Sequence, residues 1–137
     1  MPAAVNTSHA AEPTRLTRVL RHPTIPLNHQ TSETPAPQSH SHIHVRNPEF
    51  TCLCPLTGTP DFAALTLKYV PDKKCVELKS LKLYIWSFRN EGAFHEDVTN
   101  QILNDLVAAL SPVSMTVITD WLVPGGIHTV VKVSHPQ

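Results

Sequence analysis

Cys54 and Asp61 are the residues of this 137-residue chain whose types and spacing most directly suggest chemistry. They stand seven positions apart, just before a strand-like segment. A thiolate attacks carbon electrophiles well near neutral pH when a nearby cation or helix terminus lowers the pKa of the thiol. A carboxyl group in a dry cleft can donate and accept a proton. The pair therefore predicts an enzyme with Cys54 as nucleophile and Asp61 as proton donor.

Each of the two residues also has a more ordinary interpretation. Most free cysteines are small buried side chains, and an aspartate after Pro60 suits a turn. Cys52 lies two residues before Cys54 and faces the same side of an extended segment. Those two thiols could form a strained disulfide or an incomplete metal site, which would need further ligands.

A second group of candidates lies downstream. Lys79 and Lys82 are three residues apart, hence on one face of a helix, and could hold a phosphate. His95 and Glu96 follow in a helical first turn, where an ionised glutamate could bridge the adjacent N–H donors of a guanine-like edge. Solvated lysines and first-turn acidic residues are the common alternative for both pairs. The sequence has neither a dinucleotide-binding glycine fingerprint nor a Walker phosphate loop.

The pattern of apolar residues predicts an α+β unit that positions these groups. Alternation predicts strands over residues 62–70, 75–78, 115–123 and 127–133, the first two joined as a hairpin and the last two by Gly125 and Gly126. Helical spacing predicts one helix capped by Ser80 and ending at Gly92, and another from about His95 to Ser111. The order β-β-α-α-β-β predicts a four-stranded antiparallel sheet with two helices on one face. Its exposed edge strands favour assembly into a closed ring.

Composition divides the chain in two. Residues 1–46 hold six of the thirteen prolines and six of the nine histidines, with few aromatic residues, and are predicted to be a disordered tail. The folded domain is predicted over residues 47–137. A domain of about 90 residues is marginal alone, which again favours a homo-oligomer. His40, His42 and His44 alternate within the tail, but without partners they do not make a metal site, and we predict none.

Charge and hydropathy exclude several classes of partner. The formal net charge is zero and no basic stripe is present, so we expect no nucleic-acid partner. No apolar run approaches the length needed to span a membrane, and the first residues lack an apolar core, so we expect neither a membrane-spanning segment nor a secretory signal. Three cysteines, an odd number, fit free thiols in a reducing compartment, so we predict a cytoplasmic protein.

Three segments together resemble a known family. They are residues 50–55 (FTCLCP), 77–84 (ELKSLKLY) and 94–97 (FHED). Their order and spacing resemble the single-module branch of the 7-cyano-7-deazaguanine reductases (QueF), the nitrile reductases of queuosine biosynthesis, a tRNA-modification pathway. The resemblance runs from about Asn47 through Leu106. It implies the tunnelling fold, also found in GTP cyclohydrolase I, which assembles into rings, commonly stacked pentamers.

The resemblance also implies a reaction. Cys54 would add to the nitrile carbon of 7-cyano-7-deazaguanine and form a covalent thioimide, with Asp61 as proton donor. Two NADPH would then reduce the adduct, through an imine, to 7-aminomethyl-7-deazaguanine. The positions implied for substrate binding are Val76, Glu77, Leu78, His95 and Glu96.

For the cofactor, the resemblance implies that Lys79 and Lys82 bind NADPH. Members of the family usually carry an arginine immediately before the late Gly-Gly pair, where this chain has Pro124. This departure concerns the details of NADPH binding rather than the identity of the reaction.

Three alternatives stay open. An amidinotransferase-type relative would use the same thioimide on a nitrile-modified tRNA, but would have no need of an NADPH signature. A zinc-dependent GTP cyclohydrolase-like enzyme would need a complete set of Cys and His ligands. A non-enzymatic, ring-forming purine binder would show no turnover, so substrate-dependent NADPH consumption would exclude it.

Overall fold

A four-stranded antiparallel sheet with two helices against it forms the centre of the molecule. The computed structural model describes residues 31–34, 40–122 and 125–137. The elements in chain order are β1 Thr31–Glu33, β2 Ile43–Leu53, β3 Pro60–Val70, β4 Lys74–Val76, α1 Leu78–Trp86, a 3₁₀ turn Ser87–Asn90, α2 His95–Leu110, β5 Ser114–Leu122 and β6 His128–His135. The sheet order is β2-β3-β5-β6, and β1 pairs separately with β4. The predicted α+β class and the order β-β-α-α-β-β are confirmed.

The core lies between the sheet and the helices. Side chains of β3 and β5 alternate between buried and exposed, because successive residues of a strand point to opposite faces. The buried set from these strands includes Leu65, Leu67, Met115, Val117 and Trp121. Val98, Ile102 and Leu106 of α2 pack against this set. Leu81 and Tyr84 of α1 and Phe88 of the 3₁₀ turn belong to the same core.

The predicted hairpin between residues 62–70 and 75–78 is wrong. The strand that pairs with β3 on that side is β2, and Lys74–Val76 pairs instead with Thr31–Glu33. The sequence does not predict β2, because a β-bulge between Asn47 and Phe50 shifts its register and breaks the alternation of apolar residues. In addition, Pro48 has no N–H to donate to a neighbouring strand.

The sheet therefore begins at Ile43, four residues before the predicted domain boundary at residue 47. Thr31–Glu33 also form a strand inside the segment predicted to be a disordered tail. For residues 1–30 and 35–39 the tail stays a prediction, because they lie outside the described residues.

Glu77, rather than Ser80, caps α1. Its carboxylate accepts hydrogen bonds from the backbone N–H groups of Lys79 at 2.8 Å and Ser80 at 2.9 Å. Ser80 is buried and adds its own hydroxyl, which donates to Glu77 at 2.6 Å. An acidic side chain reaches orphan N–H groups of the first turn as well as serine does, and its charge suits the positive end of the helix. The helix ends at Trp86 rather than at Gly92, and a 3₁₀ turn follows.

The ends of α2 and of the last hairpin agree with the sequence. α2 starts at His95, and Ser111 ends it in the left-handed conformation with φ 46°. Gly125 and Gly126 turn the chain before β6 with φ 95° and 81°, values that favour glycine. Pro124 lies outside the described residues. Within the described ranges, no helix has the length and apolar character needed to cross a membrane.

Candidate active site

Cys54 opens the tight loop that joins β2 to β3. Its backbone N–H donates to the carbonyl of Thr59 and its own carbonyl accepts from Gly58, both at 2.8 Å. Gly58 has φ 71°, a left-handed conformation that glycine adopts without strain. These two hydrogen bonds close the loop and fix Cys54 at the end of the paired strands.

The loop also activates the thiol of Cys54. Its pKa lies below the ordinary value, because the Thr57 hydroxyl donates to the thiolate and the backbone N–H groups of Thr57 and Leu56 add to the effect. The Thr57 hydroxyl also meets that of Thr59 at 2.7 Å, which orients it. Cys54 is only partly buried, so a ligand can reach it. A partly exposed thiol with a lowered pKa is the environment of a nucleophilic cysteine.

Cys52 has the opposite character. It is fully buried, and its Sγ lies 3.9 Å from the carbonyl of Ala93 as a weak donor. Burial raises the pKa of Cys52 to about 12, with the charges of Asp61 and Cys54 adding to the rise. Cys52 and Cys54 form no disulfide. Cys52 is therefore a core residue with a firmly protonated thiol.

Asp61 and His95 form a pair beside the thiols. Asp61 is opposite Cys52 in the β2–β3 register and is only 9% exposed. Its Oδ2 lies 3.0 Å from Nε2 of His95, the first residue of α2. The negative charge of Asp61 opposes ionisation of both Cys52 and Cys54, which places the carboxylate near the nucleophile. The structure thus brings a nucleophile, a carboxyl group and an imidazole together.

Trp121 and Thr57 are two contributors that the sequence did not single out. The indole ring of Trp121 stacks on the imidazole of His95, with ring centroids 3.8 Å apart and planes within 4°. The sequence identified Trp121 only as an alternating strand residue, since nothing local links β5 to the start of α2. Thr57 had a local signal, a hydroxyl three residues after the cysteine in a turn with Gly58.

The other predicted substrate residues are more dispersed. Glu96 is exposed beside His95 in the first turn of α2. Val76 is buried at the end of β4, while Leu78 is 63% exposed at the start of α1. Glu77 directs its carboxylate to the start of α1. The pKa of this carboxyl group is lowered, mainly because the hydroxyl of Ser80 donates a hydrogen bond to it. Within the part of the chain that the structure describes, no hydrogen bond or ion pair joins residues 76–78 to the Cys54 site.

A groove of about 730 Å³ lies beside the outward-facing side chains of the second half of β2, and we call it the β2 groove. Its lining comes from β2, the start of β3, α1 and the 3₁₀ turn, namely Asn47, Glu49, Thr51, Leu53, Pro60, Phe62, Lys82, Ile85, Trp86, Arg89 and Asn90. Leu53 and Pro60, which line the groove, are the chain neighbours of Cys54 and Asp61.

The lining of the β2 groove suits a phosphorylated cofactor with flat rings. Lys82 and Arg89 supply two cations for phosphate, and the guanidinium of Arg89 lies 5.3 Å from the exposed ring of Trp86. Lys79, the other predicted cofactor residue, is exposed on α1 but does not line the groove. Among the described residues, no three His, Cys, Asp or Glu side chains gather as a metal ion would require.

Comparison with known proteins gives consistent results. The family model described as QueF-like protein matches residues 60–137. A relative from Anaeromyxobacter sp. (strain K), named NADPH-dependent 7-cyano-7-deazaguanine reductase, is 59% identical over 108 residues, 79% of this chain and 88% of that relative. Relatives with the same name from Methylobacillus flagellatus and Nitrosomonas europaea are 61% and 60% identical over 106 residues, each covering 77% of this chain and 76% of the relative.

A solved structure shares the fold. The crystal structure of the archaeosine synthase QueF-Like in the apo form superposes with a TM-score of 0.66 at 21% identity, covering 71% of this chain and 95% of that one. At this level of identity the likeness establishes the architecture, and it agrees with the sheet order and the two helices described above.

Proposed function

The chain belongs to the QueF-like family, and from that membership and the geometry of its site we propose that it reduces the nitrile of 7-cyano-7-deazaguanine to the aminomethyl group with NADPH. The observation that carries this proposal is the activated thiol of Cys54 beside the Asp61–His95 pair, whose side chains are 3.0 Å apart. The product serves queuosine biosynthesis, a tRNA-modification pathway. The relatives of about 60% identity carry the name of this activity.

Cys54 begins the reaction. Its thiolate adds to the nitrile carbon, forming a carbon–sulfur bond, and the electron pair released onto nitrogen takes a proton from the Asp61–His95 pair. The product of this step is a thioimide, in which the linear, unreactive nitrile has become a polarised carbon–nitrogen double bond. Thr57 assists because its hydroxyl stabilises the thiolate that must be present before addition.

NADPH, when bound, would supply the reducing power as hydride, which is needed once at the thioimide and once at the imine. The residues of the chain stabilise the leaving thiolate and transfer protons. Cys54 departs as a thiolate when the reduced adduct collapses, and the same donors from Thr57 and Leu56 stabilise it as a leaving group. The Asp61–His95 pair would exchange protons with the substrate nitrogen, because its two side chains share a 3.0 Å hydrogen bond and the charge of Asp61 acts on Cys54.

Substrate recognition falls to residues around this centre. We assign the deazaguanine edge to Glu96, with His95 beside it, because an ionised carboxylate accepts two adjacent N–H donors. Val76, Glu77 and Leu78 complete the proposed base pocket. Since they are not bonded to the Cys54 site within the described part of one chain, we propose that they act on the substrate bound by a neighbouring copy in a ring.

Such a ring agrees with the sheet. β2 and β6 are its two edge strands in the described part of the chain. Edge-to-edge pairing of copies would satisfy their backbone groups, except at Leu53 of β2, which already bonds to Glu91 and Ala93. Stacked pentameric rings are the assembly we propose. A cytoplasmic location fits a reaction that needs a reduced thiol, and the substrate is a free base rather than a nucleic acid.

The β2 groove suits the cofactor that the names of the relatives specify. Lys82 and Arg89 would hold the phosphates of NADPH, and Trp86 offers a flat face for one of its rings. Lys79 lies on the same helix outside the groove, and we propose that it acts from the groove's rim.

Intact mass spectrometry tests the covalent step. The protein is incubated with 7-cyano-7-deazaguanine without NADPH, and we expect a mass increase equal to one substrate, with no loss. Cys54→Ala should abolish the adduct, and Cys75→Ala, the matched control at another partly buried thiol, should retain it. An adduct that survives in Cys54→Ala would show that another residue is the nucleophile.

A further inference from the structure

Two fully buried threonines lie behind the imidazole of the proposed active site. Thr99 of α2 donates its hydroxyl proton to the carbonyl of His95 at 2.6 Å. The hydroxyl oxygens of Thr99 and Thr119 are 2.7 Å apart. Trp121 donates its indole N–H to the hydroxyl of Thr119 at 2.8 Å. These contacts link β5 to the first residue of α2.

The direction of each of these linked hydrogen bonds follows from the number of protons that each group can donate. A hydroxyl has one proton to give. The proton of Thr99 goes to the His95 carbonyl, so Thr99 must accept from Thr119, and Thr119 in turn accepts from Trp121. The result is one unbranched chain from indole to backbone carbonyl in which each hydroxyl donates once and accepts once. Aligned bonds of this kind strengthen one another in a buried setting.

A contact between the rings of Trp121 and His95 forms the second link. Trp121 is fully buried, and its indole, fixed in its plane by Thr119, lies flat on the imidazole of His95. His95 is therefore held twice from β5, at its backbone through Thr99 and at its ring face through the indole. The free edge of the ring carries Nε2, which meets Asp61 at 3.0 Å.

We propose that Trp121 and Thr119 are positioning residues that hold the His95 imidazole where it pairs with Asp61 for proton transfer. This inference rests on the proposed function. Neither residue needs to touch the substrate, since both act through His95. Without the Thr119 hydroxyl the indole N–H loses its acceptor and Thr99 loses its donor, so the indole and imidazole planes can turn together. A misplacement of about 1 Å near reacting groups can cost on the order of 100-fold in rate.

The test compares Thr119→Val, which removes the hydroxyl, with Thr119→Ser, which keeps it. We expect Thr119→Val to lower kcat by at least about tenfold while the KM for NADPH stays within about twofold, because the β2 groove does not include this residue. Thr119→Ser should recover kcat to within about twofold of the wild type. The matched control is Phe88→Leu, a change at a buried ring of the same core that packs on Tyr84 and Phe50 rather than on His95.

A second readout follows the ring itself. The Cε1–H signal of His95 in a ¹³C-labelled chain, assigned by its loss in His95→Gln, should be displaced by the ring current of the stacked indole. It should move in Thr119→Val and return in Thr119→Ser. An unmoved signal, or an unchanged kcat in Thr119→Val, would overturn the inference. So would a Phe88→Leu variant that moved the signal and kcat as much, because the effect would then be general loosening of the core.

The two proposals fail separately. If the wild type does not oxidise NADPH when 7-cyano-7-deazaguanine is added, the proposed function is wrong. The His95 signal still decides the positioning, since it is measured without substrate. If the wild type turns over and Thr119→Val does so equally well, only the positioning of His95 is wrong.

Discussion

Replacing Thr57 by valine should raise the pKa of Cys54 and slow its reaction with alkylating reagents at neutral pH. The Thr57 hydroxyl is the first of the groups that lower this pKa, ahead of the backbone N–H groups of Thr57 and Leu56. Valine keeps the branched shape and both N–H groups but removes the hydroxyl. The thiol should therefore move part of the way back towards its ordinary pKa.

The size of the effect can be judged against Cys52 in the same molecule. A thiol with the ordinary pKa of about 8.5 is about 3% ionised at pH 7, and Cys54 exceeds this because its pKa is lower. The pKa of Cys52 is raised to about 12, which leaves on the order of one molecule in 10⁵ ionised at pH 7. Ionisation alone thus favours Cys54 by a factor on the order of 10³. The complete burial of Cys52 adds to this difference.

The assay is alkylation of the native chain by iodoacetamide from pH 6 to 10, with each cysteine followed by peptide mass spectrometry. We expect Cys54 to react first and the midpoint of its rate–pH curve to rise in Thr57→Val. Thr116→Val, which loses a hydroxyl bonded to Ser134 at 3.0 Å on the other side of the sheet, is the matched control and should leave the midpoint unchanged. Equal rates for Cys52 and Cys54, or an unmoved midpoint in Thr57→Val, would refute the reasoning.

Three further changes have defined outcomes. Tyr84→Phe removes a partly buried 2.6 Å hydrogen bond to Asp105, and urea denaturation should show that the free energy of unfolding falls by about 1–3 kcal/mol. An unchanged free energy of unfolding would mean that this bond does not stabilise the fold. The pKa of Cys52 is about 12 in the folded chain, so the unfolded chain loses this proton at lower pH. The free energy of unfolding should therefore fall as pH rises above the pKa of the unfolded thiol, by about 1 kcal/mol from about pH 8.5 to 9.5. The same pH dependence in Cys52→Ala would contradict this. Lys82→Ala should raise the KM for NADPH several-fold with little change in kcat, and Lys68→Ala, an exposed lysine on β3, should not; equal effects would remove Lys82 from the cofactor groove.

Elements with local signals were predictable from the sequence. α2 was identified from apolar residues at helical spacing, with His95 at its start and the Ser111-Pro112 pair at its end, because the period and the stop lie within one segment. The alternation of β3 and β5 was equally local. β2 was missed because its bulge between Asn47 and Phe50 breaks the period on which strand prediction depends.

The site was predictable in its members but not in its contacts. The Cys54, Asp61 and His95 positions follow from motifs, whereas the stacking of Trp121 on His95 depends on how β5 and α2 pack, which no local pattern encodes. The sequence predicts Ser80 as the cap of α1 because serine is a common N-cap, but Glu77 lies three residues earlier and caps the helix by accepting from the N–H groups of Lys79 and Ser80. The lowered pKa of Cys54 arises from a loop geometry that only the closed turn creates.

The most direct measurement counts NADPH against nitrile. Purified protein is mixed with a limiting amount of 7-cyano-7-deazaguanine and excess NADPH, and the loss of nicotinamide absorbance is followed to completion, with Cys54→Ala in parallel. We predict two NADPH consumed per nitrile and no consumption in Cys54→Ala. Absence of consumption by the wild type, with or without an adduct on Cys54, would contradict assignment of the chain as a nitrile reductase.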